Sequence, residues 1–387
     1  MKQTDERGKH WDQVKRVFGL LLVTCVLAFP APSAQASWDP STNLEGFGFK
    51  IFKIESGLYP YVQIYLRTFD ENMNPLVNLN YMNIGLMVKG LAMDPMKRQY
   101  MIQSIRGRSE AIRSILVLDT SITMRGAPFD ASLRAAARFI DSKRAQDQVA
   151  IIALDDKGEG FTIVSNFERD PATLGRRLAD LKAEGRKTRL YDGIGAALLM
   201  AGGAGAGGTT TSDASYVAST SIVIFSDGLD EGSALTRNDL MTRISNLDIP
   251  VPMYSLAYSN IDTKHLLNLQ ALSKNSAGKY FHIGKAFDQM TRSVEEIQNI
   301  MQNDYVITFR SYIPVDGEEH AVKIGVEYPA GSGKMRYNSD RFEAISMPRV
   351  EVVAAAQDQI SRSLPLLPDN NPYVDGDLAP VNEVKKN

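Results

Sequence analysis

Between residues 46 and 108, apolar and polar positions alternate with a period of two. Val62, Ile64 and Leu66 interleave with Gln63, Tyr65 and Arg67, a turn at 70–75 follows, and Ile84, Leu86 and Val88 repeat the alternation. This period sends one side of each strand to a core and the other to solvent, predicting half-buried antiparallel strands. From Arg113 the pattern switches to short apolar runs separated by amphipathic stretches. Strands are expected at 114–118, 148–154, 161–164, 221–225, 251–257 and 279–282, with helices near 130–142, 171–183, 190–201, 235–247, 264–274 and 287–302. Strands that alternate with helices need crossover connections, which implies a mainly parallel, doubly wound α/β sheet covered on both faces. Residues 161–164 are expected at its antiparallel edge.

After Asp304 the two-residue period returns in Tyr305, Ile307 and Phe309, then in Val322, Ile324, Val326 and Tyr328. Two β segments flanking an α/β unit bury their edges most simply by pairing with each other. The α/β unit is therefore expected to be inserted in a β-sandwich, with residues 37–108 supplying one half, 109–304 the insertion and 305–350 the other half. Two segments look irregular. The stretch 202–215, GGAGAGGTTTSDAS, has the composition of a flexible surface loop. Residues 351–387, rich in Pro, Asp and Asn toward the end, are expected to be extended or disordered.

The chain begins with several Lys and Arg, continues through an apolar run at 17–29, and offers the small-x-small site Ala34-Gln35-Ala36. This reads as a secretory signal peptide over residues 1–36. Spanning a bilayer takes about 20 apolar residues, so no stable membrane insertion is expected once the signal is cleaved. Cys25, the single cysteine of the chain, lies within the apolar run, leaving no disulfide or thiolate site beyond it. The product is expected to be exported, to the periplasm or the extracellular space. Its 43 Lys and Arg nearly balance 45 Asp and Glu, for a formal charge of -2, which gives no electrostatic case for nucleic acid.

The chemistry concentrates where the first apolar run of the α/β segment ends. Ser114 to Gly126 reads SILVLDTSITMRG, carrying the chain from a buried strand into Asp119, Ser121 and Thr123, three short oxygen side chains at alternate positions. Oxygen-only ligand sets suit hard divalent cations. Thr188 follows in GRKTRLYDGIGAAL and Asp227 in STSIVIFSDG, each at a helix start or strand end. Open α/β sheets bind ligands at the carboxyl ends of their strands, where Asp119 and Asp227 both fall.

Together Asp119, Ser121, Thr123, Thr188 and Asp227 resemble the metal-ion-dependent adhesion site of von Willebrand factor type A domains, in an exported bacterial type of protein. The resemblance covers about residues 111–304 and departs from the family pattern at two places. Thr123 stands for a serine, and Arg186-Lys187 replace the usual pair of glycines before Thr188. The resemblance implies Mg²⁺ as the cation, with Mn²⁺ or Ca²⁺ as alternatives. Ser121 and Thr123 would then bind it directly, Thr188 directly or through water, and Asp119 and Asp227 largely through water. It also implies a protein partner that offers Asp or Glu to the metal.

Other acidic residues have plainer readings. Asp230 and Glu231 are expected to cap the helix near 235, and Asp192 to stabilise the first turn of its own helix. Catalytic signatures are missing: His265, His282 and His320 are scattered, and Gly331-Ser332-Gly333-Lys334 lacks the phosphate-loop spacing. The chain is therefore read as a non-enzymatic, exported binding protein. The alternatives are an envelope scaffold that binds through its sandwich or Pro-rich tail, and a metal-assisted hydrolase.

Overall fold

A computed structural model describes residues 46–156, 158–203, 217–247, 249–259, 264–345, 351–365 and 371–372. The signal-peptide reading, most of the segment 202–215 and all but two residues beyond 365 fall outside these. Among the described residues, no helix is long and apolar enough to cross a membrane.

Fourteen strands and seven α-helices are described. The strands are β1 (Phe47–Leu58), β2 (Tyr61–Asp70), β3 (Ile84–Val88), β4 (Leu91–Ala92), β5 (Tyr100–Ser104), β6 (Ala111–Asp119), β7 (Gln148–Leu154), β8 (Phe161–Glu168), β9 (Val217–Ser226), β10 (Met253–Tyr258), β11 (Tyr280–Gly284), β12 (Tyr305–Arg310), β13 (Glu319–Glu327) and β14 (Met335–Glu343). The helices are α1 (Ala127–Ser142), α2 (Pro171–Ala179), α3 (Leu190–Gly203), α4 (Arg237–Ser245), α5 (Leu266–Asn275), α6 (Gln289–Gln302) and α7 (Glu351–Ser363).

The central sheet has six strands in the order β11-β10-β9-β6-β7-β8. Every neighbouring pair is parallel except β7 with β8, so the hairpin forms the antiparallel edge expected from the sequence. Alternate residues of β6 divide between two cores. Ile112, Leu116 and Leu118 pack under α1, α2 and α6, whereas Ile115 and Val117 pack under α3, α4 and α5. Both faces of the sheet are thus covered, which is why its strands are continuous apolar runs without alternation.

The flanking segments combine into two antiparallel four-stranded sheets, β1-β2-β12-β5 and β14-β13-β3-β4. Each sheet takes strands from both flanks: Ile64 of β2 faces Ile307 of β12, and Leu86 of β3 faces Ile324 of β13. The inward positions, among them Val62, Ile64, Leu86, Ile307, Phe309 and Ile324, share one core between the two sheets. The α/β unit is inserted in this sandwich.

Two expectations need correction. First, β2 is not half-buried: only Asp70 at its end escapes full burial. Its second face is covered as well, because Tyr65, with Phe52 and Val306, joins the core of the α/β unit under Tyr254 and Ile300. Farther along the same face Tyr61, with Leu58 and Met101, packs against α7. Second, residues 351–363 are helical where an extended tail was expected. Val353, Ala356, Ile360 and Leu364 recur at helical spacing and present one apolar stripe to the sandwich, and Gln357 donates to the Tyr59 carbonyl at 2.7 Å.

An ion pair lies where the sandwich meets the α/β unit. Arg67 of β2 donates through Nε to Asp304 Oδ1 at 3.0 Å and through Nη2 to Oδ2 at 2.5 Å, with both side chains buried. Its guanidinium also lies 5.6 Å from the Phe52 ring and 5.9 Å from the Tyr254 ring. Burial, the largest single influence, works against the charge on Arg67, but the facing Asp304 carboxylate and the Tyr254 phenol together outweigh it and push the pKa of the guanidinium up.

Candidate metal centre

The three oxygens of the first motif are held by the turn in which they sit. β6 ends at Asp119, and the chain enters a tight 3-10 turn, Ile122–Met124, that brings Ser121 and Thr123 to the same side, their hydroxyls 2.8 Å apart. Asp119 is fully buried. Its Oδ1 accepts the Ser121 N–H at 3.0 Å and the Thr188 hydroxyl at 3.4 Å, while Oδ2 accepts the Ser226 hydroxyl at 3.0 Å.

Thr188 reaches this cluster because the preceding loop is strapped to the first one. Gly185 forms a bridge with Ser121, donating to Thr120 O at 3.0 Å and accepting from the Ile122 N–H at 2.7 Å. A Cβ on Gly185 would lie 3.3 Å from Thr120 O and 3.5 Å from Ser121 Cα, so the two backbones approach closely here and a larger residue would need them to give by a few tenths of an ångström. Two residues beyond Thr188, α3 begins at Leu190. Arg186 and Lys187 extend into solvent, and Arg189 packs against Gly160 in the β7–β8 turn.

Asp227 follows β9 directly and turns the chain by accepting the Leu229 N–H on Oδ1 at 3.0 Å. Gly228 makes the turn with φ of +77°, and a Cβ there would meet the His265 carbonyl at 2.3 Å. Only glycine satisfies both demands. Asn268 of α5 closes the turn by donating to Gly228 O at 2.9 Å.

The five residues singled out in the sequence therefore lie on three loops at the carboxyl edge of the sheet. Direct bonds join Asp119, Ser121, Thr123 and Thr188, and Asp227 is coupled to Asp119 through its charge. Burial, then that neighbouring charge, pushes Asp119 up to about 6, even though its hydrogen bonds with Ser121 and Ser226 favour the ionised form. The Tyr258 phenol at the end of β10 is raised by the same causes, burial first and then the charges of Asp119 and Asp227. Two carboxylates and three neutral hydroxyls, with the Asp119 charge made costly by burial and by Asp227, suit a hard divalent cation that would neutralise the carboxylates. The donor set is oxygen alone, with no thiolate or imidazole to favour a softer metal.

Sequence reasoning missed several residues. Ser226 orients Asp119, and nothing in its sequence position separates it from any other serine at a strand end. Asp230 and Glu231 do not cap the helix near 235: α4 starts later and is capped by Thr236, in a reciprocal box with Asp239. Asp230 accepts instead from the Tyr191 N–H at 3.3 Å and Glu231 from the Thr188 N–H at 3.3 Å, both at the start of α3. Asp192 accepts from Ala234 and Leu235, each at 2.9 Å, so it braces the loop after β9.

Residues 114–229 match the family model of the von Willebrand factor type A domain. The solved structures similar to this chain include a von Willebrand factor type A protein from Catenulispora acidiphila, at 12% identity and a TM-score of 0.41, covering 82% of this chain and 78% of that one. The SpRpn10 VWA domain aligns at 13% identity and a TM-score of 0.36, over 48% of this chain and 95% of its own. The three N-terminal domains of the type V pili tip protein Mfa5 from Porphyromonas gingivalis align at 13% identity and a TM-score of 0.26, over 48% of this chain and 27% of theirs. Comparison with curated proteins finds no match.

Proposed function

We propose that this chain is an exported, non-enzymatic protein-binding module that engages its partner through a divalent cation at the carboxyl edge of the α/β sheet. Domains of the matched family generally mediate protein–protein interaction. The observation that carries the metal reading is the buried oxygen cluster around Asp119, whose carboxyl is raised by its burial and by Asp227. Ser121, Thr123, Thr188, Asp119 and Asp227 would hold Mg²⁺, or Mn²⁺ or Ca²⁺ in its place. When bound, the cation would supply a positive centre for an Asp or Glu side chain of the partner.

The rim matches such a partner. Arg186 and Lys187 stand exposed beside Thr188, and they add positive potential that steers an acidic group toward the pole. Export, to the periplasm or beyond the cell, rests on the basic, apolar and small-residue pattern of the first 36 residues.

Calorimetric titration with MgCl₂ tests the reading, using wild-type protein and Asp119→Ala. Binding by the wild type and its loss in the variant, with the native circular-dichroism spectrum retained, is the expected pair of results. Equal Mg²⁺ affinity in both proteins would overturn the assignment.

A further inference from the structure

Thr188 is held by one residue at both of its main-chain groups. The Glu231 N–H donates to Thr188 O at 2.7 Å, and the Thr188 N–H donates back to Glu231 Oε2 at 3.3 Å. These two bonds close a ring around the residue whose hydroxyl reaches Asp119 Oδ1 at 3.4 Å. Thr188 lies between Gly185, pinned to the first motif, and the start of α3 at Leu190. Arg186 and Lys187 occupy the interval, and both are exposed. Their long side chains therefore do little to hold the loop, whereas the Glu231 carboxylate sits where a helix start favours negative charge.

The neighbouring carboxylates are tied differently. Asp230 accepts from the Tyr191 N–H, and Asp192 accepts from Ala234 and Leu235 on the opposite loop. They join the same two loops, but neither bonds to Thr188. The bond to the metal-site threonine belongs to Glu231.

We propose that Glu231 is a positioning residue of the metal site, which fixes the main chain of Thr188 so that its hydroxyl stays directed at the Asp119 cluster. The inference rests on the metal reading above and deepens it. Glu231 acts through Thr188 and is not itself a ligand. Its side chain needs the reach of a glutamate and an acceptor oxygen, whereas its charge is secondary.

Two measurements on the full chain test this: calorimetric titration with MgCl₂, and amide hydrogen exchange at Thr188 in metal-free protein. Glu231→Ala should weaken Mg²⁺ binding up to roughly tenfold, about what losing one hydrogen bond costs, and should speed exchange at Thr188. Glu231→Gln, which keeps an acceptor at the same reach, should stay within about threefold of the wild type. Glu231→Asp, which keeps the charge but is one methylene short, should behave like Glu231→Ala and gives the test a second route if the alanine variant does not fold. Asp192→Ala should lower the melting temperature while leaving Mg²⁺ affinity unchanged. Three results would overturn the proposal: wild-type affinity in Glu231→Ala or Glu231→Asp, equal weakening by glutamine and alanine, or a matching loss of affinity in Asp192→Ala. A wild type that binds neither MgCl₂ nor MnCl₂ would overturn the metal reading itself, and this inference with it.

Discussion

Replacing Asp304 with alanine would leave the Arg67 guanidinium charged and buried between the sandwich and the α/β unit. The pair is bidentate, with both side chains almost fully out of water, and Arg67 is enclosed by the Phe52 and Tyr254 rings. Removing one member of such a pair costs about 3–5 kcal/mol, because the remaining charge loses its partner without regaining solvent. For a chain of this size, with about 2.1 cal/mol/K of unfolding entropy per residue, each kcal/mol lowers the melting temperature by roughly 1.5 °C, so Asp304→Ala should melt roughly 4–8 °C below the wild type. The double variant Arg67→Met with Asp304→Leu removes both charges, fills similar volume and should recover most of that loss. Urea and thermal unfolding followed by circular dichroism would measure all three proteins. A cost under about 1 kcal/mol for Asp304→Ala, the range of an exposed pair, would refute the claim that this contact is a closed junction.

The remaining predictions concern the metal pole and the insertion. Metal-free protein should lose stability as the pH rises from about 4 through about 6, since Asp119 is raised from 3.8 to about 6 and favours the fold only while protonated; the full effect is at most about 3 kcal/mol, and urea midpoints with EDTA in Asp119→Asn should show the slope gone. Mg²⁺ affinity should climb over the same window, because the cation takes the place of the proton, and a flat calorimetric profile between pH 4 and 7 would contradict this. Gly228→Ala should cost about 2–3 kcal/mol through its positive φ and the close His265 carbonyl, and a loss below about 0.5 kcal/mol in urea would remove the strain argument. An excised fragment of residues 109–304 should fold but expose the apolar surface that Phe52, Tyr65 and Val306 cover in the full chain; it should bind ANS and self-associate, and a dye-silent monomer would show that this shared core is dispensable.

Much of the fold was legible because period-two and helix-period patterns separate cleanly along this chain. The six strands of the α/β sheet follow from apolar runs between amphipathic stretches, down to the antiparallel edge at β8. What the pattern hides is a second covering. Gln63, Tyr65 and Arg67 of β2 read as the solvent side of an antiparallel strand, yet all are buried, because the surface they face comes from sequence hundreds of positions away. The helix at 351–363 was obscured by the Pro, Asp and Asn composition that follows it, and its apolar stripe is only four residues deep. At the candidate site the short motif oxygens could be picked out by spacing. Ser226 and Glu231 could not, since their roles depend on how three loops are set against each other in space.

The interleaving of the two flanks bears on the order in which this protein can be assembled. Arg67 and Asp304 are 237 positions apart, and β2 has no partner on its inner edge until β12 has been made. Closing a flexible loop of that length costs about 5 kcal/mol of chain entropy before any pairing is gained. A folded α/β unit removes most of this cost by holding its own ends together: the segments leading into β6 and out of α6 meet, the Ile105 N–H donating to the Asp304 carbonyl at 2.8 Å and the Ser104 hydroxyl to the Gln302 carbonyl at 3.5 Å. The insertion thus serves as the clasp of the sandwich. Until the final quarter of the chain is available, β2 and β3 each keep an open edge, and slow release of the chain during synthesis would hold them in that aggregation-exposed state the longest.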